Sequence, residues 1–288
     1  MSAGAQDIGF VHRRTDAGDV YFVANTANVR RAFDATFRVA AARAQQWNPL
    51  TAQTTPVAAR LSAKRDRTVV SLDLDPYEST VVVFPAGAAQ VTPPPVAPAA
   101  RPPEAIDIST GWHVAFGAGG TPQEWATLRS WTEDEATRFF SGVATYEKTV
   151  TVPPSFLRGV HSVSIDLGAP KAIEVGGPRA RVQAWIESPV RDAAIVTVNG
   201  RRVGSLWCPP YRLDVTSALR PGANTIRIDV ANLAINDMAG HALPDYKLLN
   251  LRYGTRFEPQ DLDKVQPVPA GLFGPVRLVA ARATAPTR

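Results

Sequence analysis

DAAIVTVNGRRVGSLWCPPYRLDVTSALRPGANTIRIDVANL, residues 192–233, decides the fold. Inside it, Ile195-Val-Thr-Val198 and Arg201-Arg-Val-Gly204 flank the pair Asn199-Gly200. Both positions of that pair tolerate positive φ, which predicts a tight hairpin between two strands. Further on, Asp214-Val-Thr216 runs through the polar stretch 217–224 into Thr225-Ile-Arg-Ile-Asp-Val230. Apolar and polar residues alternate in this last segment with the period of a half-buried strand. A polar turn between two such strands predicts antiparallel pairing.

The same pattern extends outward. Strands are expected over 112–116, 139–152, 160–167, 181–187, 193–199, 211–215 and 225–232. About eight strands in a segment of this size fit a jelly-roll sandwich with little helix. A separate set precedes them: DVYFVAN (19–25), AFDATFRV (32–39), TVVSLDL (68–74) and STVVVF (79–84). Asp16-Ala-Gly-Asp19 and Asp75-Pro76 supply turns, and about six short strands predict a small β-sandwich. Phe33, Thr36-Phe37 and Val39 break strict alternation, so 32–39 is expected to hold a bulge or to be buried on both faces. Between the two sets, residues 85–105 (PAGAAQVTPPPVAPAARPPEA) are almost all Pro and Ala. Successive prolines favour polyproline II, so this stretch reads as a semi-rigid spacer. The expected organisation is all-β: a small sandwich over 1–84, a linker over 85–105 and a jelly roll over 106–288.

Composition agrees. Of 288 residues, 45% are apolar and 20% charged, enough to build a core, and 25 Pro with 20 Gly are many for a helical protein. No stretch approaches the roughly 18 uncharged apolar residues of a membrane helix, so no membrane partner is expected. The balance of 31 Lys and Arg against 26 Asp and Glu gives +5. The basic residues are scattered, as at Arg13-Arg14, Arg30-Arg31 and Arg201-Arg202, without the stripe that nucleic acid requires. A single cysteine, Cys208, leaves neither an intramolecular disulfide nor a cysteine-based zinc cluster. Residues 1–7 (MSAGAQD) carry no apolar core of a signal peptide.

Chemistry-bearing motifs are sparse. Glu133-Asp134-Glu135 is the densest acidic group, but neighbouring acids on a loop read as solvated surface, not as the separated carboxyl pair of a glycosidase. His12, His113, His161 and His241 accompany no nucleophile elbow and no metal-ligand spacing. Gly117-Ala-Gly-Gly120 lacks the Lys and Ser or Thr of a phosphate loop. No catalytic residue is assigned, no cofactor is expected, and a structural calcium ion is not indicated. Aromatic residues are more informative. Trp112, Trp125, Trp131, Trp185, Trp207, Tyr211, Tyr246 and Tyr253 crowd the expected jelly roll, 106–288. Flat aromatic faces suit the C–H faces of sugars, although most Trp in a sandwich are core. Trp207 and Tyr211 flank Cys208-Pro-Pro210, a predicted loop, and Asn236 and Asp237 follow a strand end. With Tyr246, these form the candidate carbohydrate-binding set, and packing against another protein surface is the competing role.

Residues 192–233 resemble the galactose-binding-like jelly roll of glycoside hydrolase family 2 sugar-binding domains. A longer set resembles the C-terminal end of glycoside hydrolase family 106, the α-L-rhamnosidases. It comprises Ser130-Trp-Thr-Glu-Asp134, Phe140-Ser-Gly142, Tyr146, Leu206-Trp-Cys-Pro-Pro-Tyr211, Asn250-Leu-Arg-Tyr-Gly254, Arg256-Phe257, Pro259-Gln-Asp261 and Gly271-Leu-Phe-Gly-Pro-Val-Arg-Leu278. Upstream, Phe10-Val-His-Arg-Arg14 and residues 19–25 resemble the segment following that family's catalytic barrel. The resemblance implies an accessory, non-catalytic piece that supports polysaccharide degradation outside the cytoplasm. Its partners would be carbohydrate and a catalytic barrel, which His12 and Arg13 would face. A (β/α)₈ barrel takes about 250 residues of alternating strand and helix, and no such pattern occurs here. Residues 171–181 look like an insertion relative to family 2. A stand-alone carbohydrate-binding module and a purely structural sandwich are the alternative readings.

Overall fold

The computed structural model of the chain describes residues 5–41, 43–87, 104–174, 184–256 and 264–282. The described residues divide into two compact units. The first takes those up to 87 together with 170–174 and 184–187, and the second takes 104–169, 188–256 and 264–282.

In the first unit, Ile8–Thr15 and Gly18–Asn25 form a hairpin. A Cβ on Gly18, at φ +134°, would lie 2.1 Å from the Phe84 carbonyl oxygen, so only glycine lets the hairpin turn close on the next strand. The five-stranded antiparallel sheet runs Ile8–Thr15, Gly18–Asn25, Ser79–Pro85, Ala44–Trp47, Thr54–Val57. A second sheet runs Arg31–Phe37, Thr68–Leu74, Ala59–Leu61. Tyr21, Val23, Val82 and Phe84 from the first sheet and Phe37, Val70, Leu72 and Leu74 from the second share one buried core. That is eight strands where about six were expected. Three of them that the sequence reading had not delimited (AQQW, TTPV, ARL) are short and mixed in polarity, and Pro56 is tolerated because its strand is an edge.

The irregularity expected at 32–39 is absent. Arg31–Phe37 pairs with Thr68–Leu74 in unbroken register, and Phe33, Ala35 and Phe37 point to one side. The strand simply ends at Phe37. Beyond it, the Thr68 hydroxyl lies 2.6 Å from the Val39 carbonyl and 2.9 Å from that of Ala41, holding the departing chain.

The second unit is a sandwich of two antiparallel sheets. One runs Gln123–Thr127, Thr110–Phe116, Val143–Val152, Gly222–Ala231, Ala193–Val198, Arg201–Leu206. The other runs Arg212–Asp214, Val160–Asp166, Arg277–Arg282, Glu104–Asp107. Its spine is the ladder from Val143 opposite Ala231 to Val152 opposite Gly222. Alternate residues of both sheets (Trp112, Val114, Tyr146, Ile226 and Ile228 against Val163, Ile165, Leu278 and Ala280) join one fully buried core. Asn199 (φ 51°) and Gly200 (φ 78°) make the expected hairpin turn. The strand expected over 139–152 starts only at Val143, because 137–140 is taken by a turn in which Phe140 N–H reaches the Thr137 carbonyl.

Two boundaries differ from the sequence reading. Glu104–Asp107, counted in the linker and start of the jelly roll, is a strand paired with Arg277–Arg282, a long-range partner that local composition cannot reveal. Residues 170–174 and 184–187 leave the second unit and group with the first. There, Lys171–Ala172 pairs with Ile186–Glu187. Of the strand expected over 181–187, residues 184–185 are not strand, while 181–183 and most of the spacer, 88–103, lie outside the described residues.

Candidate functional site

His12 and Arg13 sit on the outermost strand of the first unit. The His12 ring stacks on Tyr21 at 4.1 Å between centroids, and Nε2 lies 2.7 Å from Asp19 Oδ1. Burial pushes the Asp19 carboxyl up, but hydrogen bonds from His12 and Arg14 outweigh it and hold the group below its ordinary value. His12 is thereby engaged within its own hairpin, while Arg13 is exposed. Arg13 shares the outward face of the sheet with a row of apolar side chains. Val11 stands opposite Phe22, Phe22 opposite Val81, and Val81 opposite Trp47. Val11, Phe22 and Trp47 are exposed, so four adjacent strands present a continuous apolar stripe on the side away from the core.

The five residues proposed for sugar binding divide. Trp207 is 62% exposed and Asp237 is exposed, its carboxylate 3.4 Å from His241 Nδ1. Tyr246 is half-buried and precedes the helix Lys247–Tyr253. Tyr211 and Asn236 are internal. The Tyr211 hydroxyl donates to Ser188 Oγ at 2.7 Å. Asn236 clamps Val268, accepting its N–H at 2.8 Å and donating to its carbonyl at 3.0 Å. Neither of these two presents a face to solvent, because their polar atoms are consumed in fastening chain segments. Trp112, Trp125 and Trp131 are likewise core.

Two members of the acidic triplet, Glu133 and Asp134, make structural contacts. Ser130 caps the short helix Trp131–Glu133 reciprocally with Glu133, whose Oε1 accepts the Ser130 N–H at 3.0 Å. Arg129 lies 3.7 Å from Asp134. Among the described residues, no three His, Cys, Asp or Glu side chains gather as a metal site.

A cavity of about 600 Å³ in the first unit was not foreseen. It is lined by Gln6, Asp7, Asn28, Arg31, Tyr77 and Trp185, among others. Arg31 donates to Asp7 Oδ2 through Nε at 3.2 Å and Nη2 at 2.5 Å. Asn28 Nδ2 donates to the Ile173 carbonyl at 3.0 Å, and the Trp185 N–H donates to the Tyr77 hydroxyl at 2.9 Å. Two features stand out. Tyr77 holds φ at 56°, uncommon for a bulky residue. The indole N–H of Trp185 is buried without a hydrogen-bond partner among the described residues. In the sequence, Trp185 was visible only as one of many aromatics, and nothing local linked it to residues 7, 28, 31 or 77.

The family model for α-L-rhamnosidase, glycoside hydrolase family 106, matches residues 1–61. The structure of a rhamnosidase from Novosphingobium sp. PP1Y is 31% identical and superposes with a TM-score of 0.71, covering 95% of this chain and 24% of its own. A putative beta-glucuronidase from Formosa agariphila is 31% identical over 148 residues, 48% of this chain and 11% of that protein. The chain is related to the rhamnosidases of glycoside hydrolase family 106. It spans about a quarter of the rhamnosidase and about a tenth of the glucuronidase relative.

Proposed function

We propose that this chain is an accessory, non-catalytic, C-terminal portion of an α-L-rhamnosidase-type glycoside hydrolase. In this reading it works beside a catalytic barrel in the degradation of plant or microbial polysaccharide, and its second unit is a galactose-binding-like jelly roll. The observation that carries the proposal is coverage: almost the whole chain aligns with a rhamnosidase, yet it accounts for only 24% of that enzyme. Two surfaces support it. The stripe Val11, Phe22, Val81, Trp47 crosses the first unit, and Leu248 and Leu251, each 82% exposed, project from a helix with no buried residue in the second. Apolar patches of this kind mark protein–protein contacts, and the occupant we assign is the barrel of the same enzyme.

The test is an assay of the isolated chain on an aryl α-L-rhamnoside. No turnover above the buffer rate is expected. Turnover that disappears when one Asp or Glu of this chain is replaced would refute the non-catalytic role.

A further inference from the structure

We infer that the cavity of the first unit is a binding site for one neutral sugar ring of an oligosaccharide. The site is separate from the Trp207 loop. It deepens the glycoside hydrolase reading, which supplies the ligand class, while the geometry supplies the place.

Size comes first. At about 600 Å³ the cavity lies in the usual range of small-ligand sites and leaves room for a ring and its first linkage. Charge comes second. Among the described residues, Asp7 and Arg31 are the two charged side chains of the lining, and they neutralise each other, two guanidinium nitrogens donating to one carboxylate oxygen. A phosphate or uronate would therefore face a carboxylate with no excess cation to offset it. An uncharged polyol suits the pair instead, because a hydroxyl donates to Asp7 while its own oxygen accepts from Arg31. Donors and acceptors of both kinds continue around the wall in Gln6, Asn28 and the Tyr77 hydroxyl. Tyr77 and Trp185 add aromatic surface for the C–H faces of a sugar.

Two costs borne at this spot point the same way. Tyr77 occupies the left-handed region, where a bulky residue is strained, and such strain gathers at ligand sites. The indole N–H of Trp185 is buried with no hydrogen-bond partner among the described residues, a state that costs free energy. The two residues are joined by the hydrogen bond from the Trp185 backbone N–H to the Tyr77 hydroxyl. Asn28, the third anchor, fixes the segment bearing Ile173 and Trp185 by donating to both of their carbonyls. The wall contributed by residues 173 and 185 is thus held by side chains of the wall opposite, as a preformed site requires.

The experiment is a nuclear magnetic resonance titration of the full chain. The probes are the methyl glycosides of L-rhamnose, D-galactose and D-glucose, with methyl glucuronide as the anionic counterpart. The six Trp indole signals serve as reporters, and Trp185→Phe assigns the one of interest. At least one neutral glycoside is expected to move the Trp185 signal, with Arg31→Ala weakening its affinity about tenfold or more, roughly 1.4 kcal/mol. Trp207→Ala should leave that affinity unchanged. A thermal melt of each variant checks folding, and the wild-type titration stands without them. Shifts confined to Trp207, equal binding of the glucuronide, or no shift from any glycoside would overturn the assignment. None of those results bears on the accessory role, which the rhamnoside assay tests separately.

Discussion

Tyr146 shows how a single polar group organises the second core. Its hydroxyl accepts the Trp131 indole N–H at 2.6 Å and the Leu272 N–H at 3.3 Å, at a position closed to solvent. Burial pushes its pKa up to about 12, outweighing the two donors that favour the phenolate. Because the folded state holds this proton more tightly than the unfolded chain, its contribution is intact below pH 10 and is lost as pH rises toward 12. Urea titrations across that window should show a fall of about 3 kcal/mol from this group, absent in Tyr146→Phe. At neutral pH the same substitution strands two buried donors and should cost about 1–3 kcal/mol. Gly271 adjoins this site. A Cβ there would stand 2.6 Å from Trp131 Nε1 with φ at +118°, so Gly271→Ala should destabilise by about 1–3 kcal/mol, read in the same titration. Trp131, Tyr146 and Gly271 all lie in the segments that resemble family 106, but their meeting at one hydroxyl is visible only in three dimensions.

At the scale of elements, turns were the most legible feature. Asn199-Gly200 announces its hairpin because backbone conformation at a two-residue turn depends on those two residues. Asn224, in the polar stretch 217–224, was not foreseen as an anchor. Buried, it donates to the Arg220 and Gly222 carbonyls and accepts from Arg220 N–H and Asn199 Nδ2. The helix Lys247–Tyr253 was missed because helix was expected to be sparse and its leucines follow no strand alternation. Its leucines and the Phe22–Trp47 stripe are exposed, so replacing them changes association and not the core. Leu248→Ser with Leu251→Ser, and separately Phe22→Ser with Trp47→Ser, should leave the unfolding free energy from urea titration within about 0.5 kcal/mol of wild type. Each pair should reduce concentration-dependent self-association in sedimentation velocity. A pair that unfolds the chain, or leaves association untouched, would remove its surface from the docking proposal.

On the scale of the whole molecule the described residues form two cores, one around Tyr21, Phe37, Leu74 and Phe84 and one around Trp112, Tyr146 and Ile228. Separate cores predict separate cooperative transitions. In calorimetry, Leu74→Ala should lower one transition by the equivalent of about 2–5 kcal/mol and Ile228→Ala the other, each leaving its counterpart in place. A single transition moved by both would mean that the units melt as one. The all-β class, the hairpin at 199–200 and the family resemblance were carried by the sequence alone. Period-two alternation, Asn-Gly turns and contiguous motifs are properties of neighbouring residues, and they survive without knowledge of what packs against them. Burial and closure are not local. Tyr211 and Asn236 became internal fasteners because segments distant in the chain, at Ser188 and Val268, arrive beside them. The cavity exists because residues 173 and 185 settle against residues 28 and 77, more than 100 positions away in the sequence. Those choices belong to the tertiary structure, since only the packed chain sets which polar groups lose water and which partners replace it.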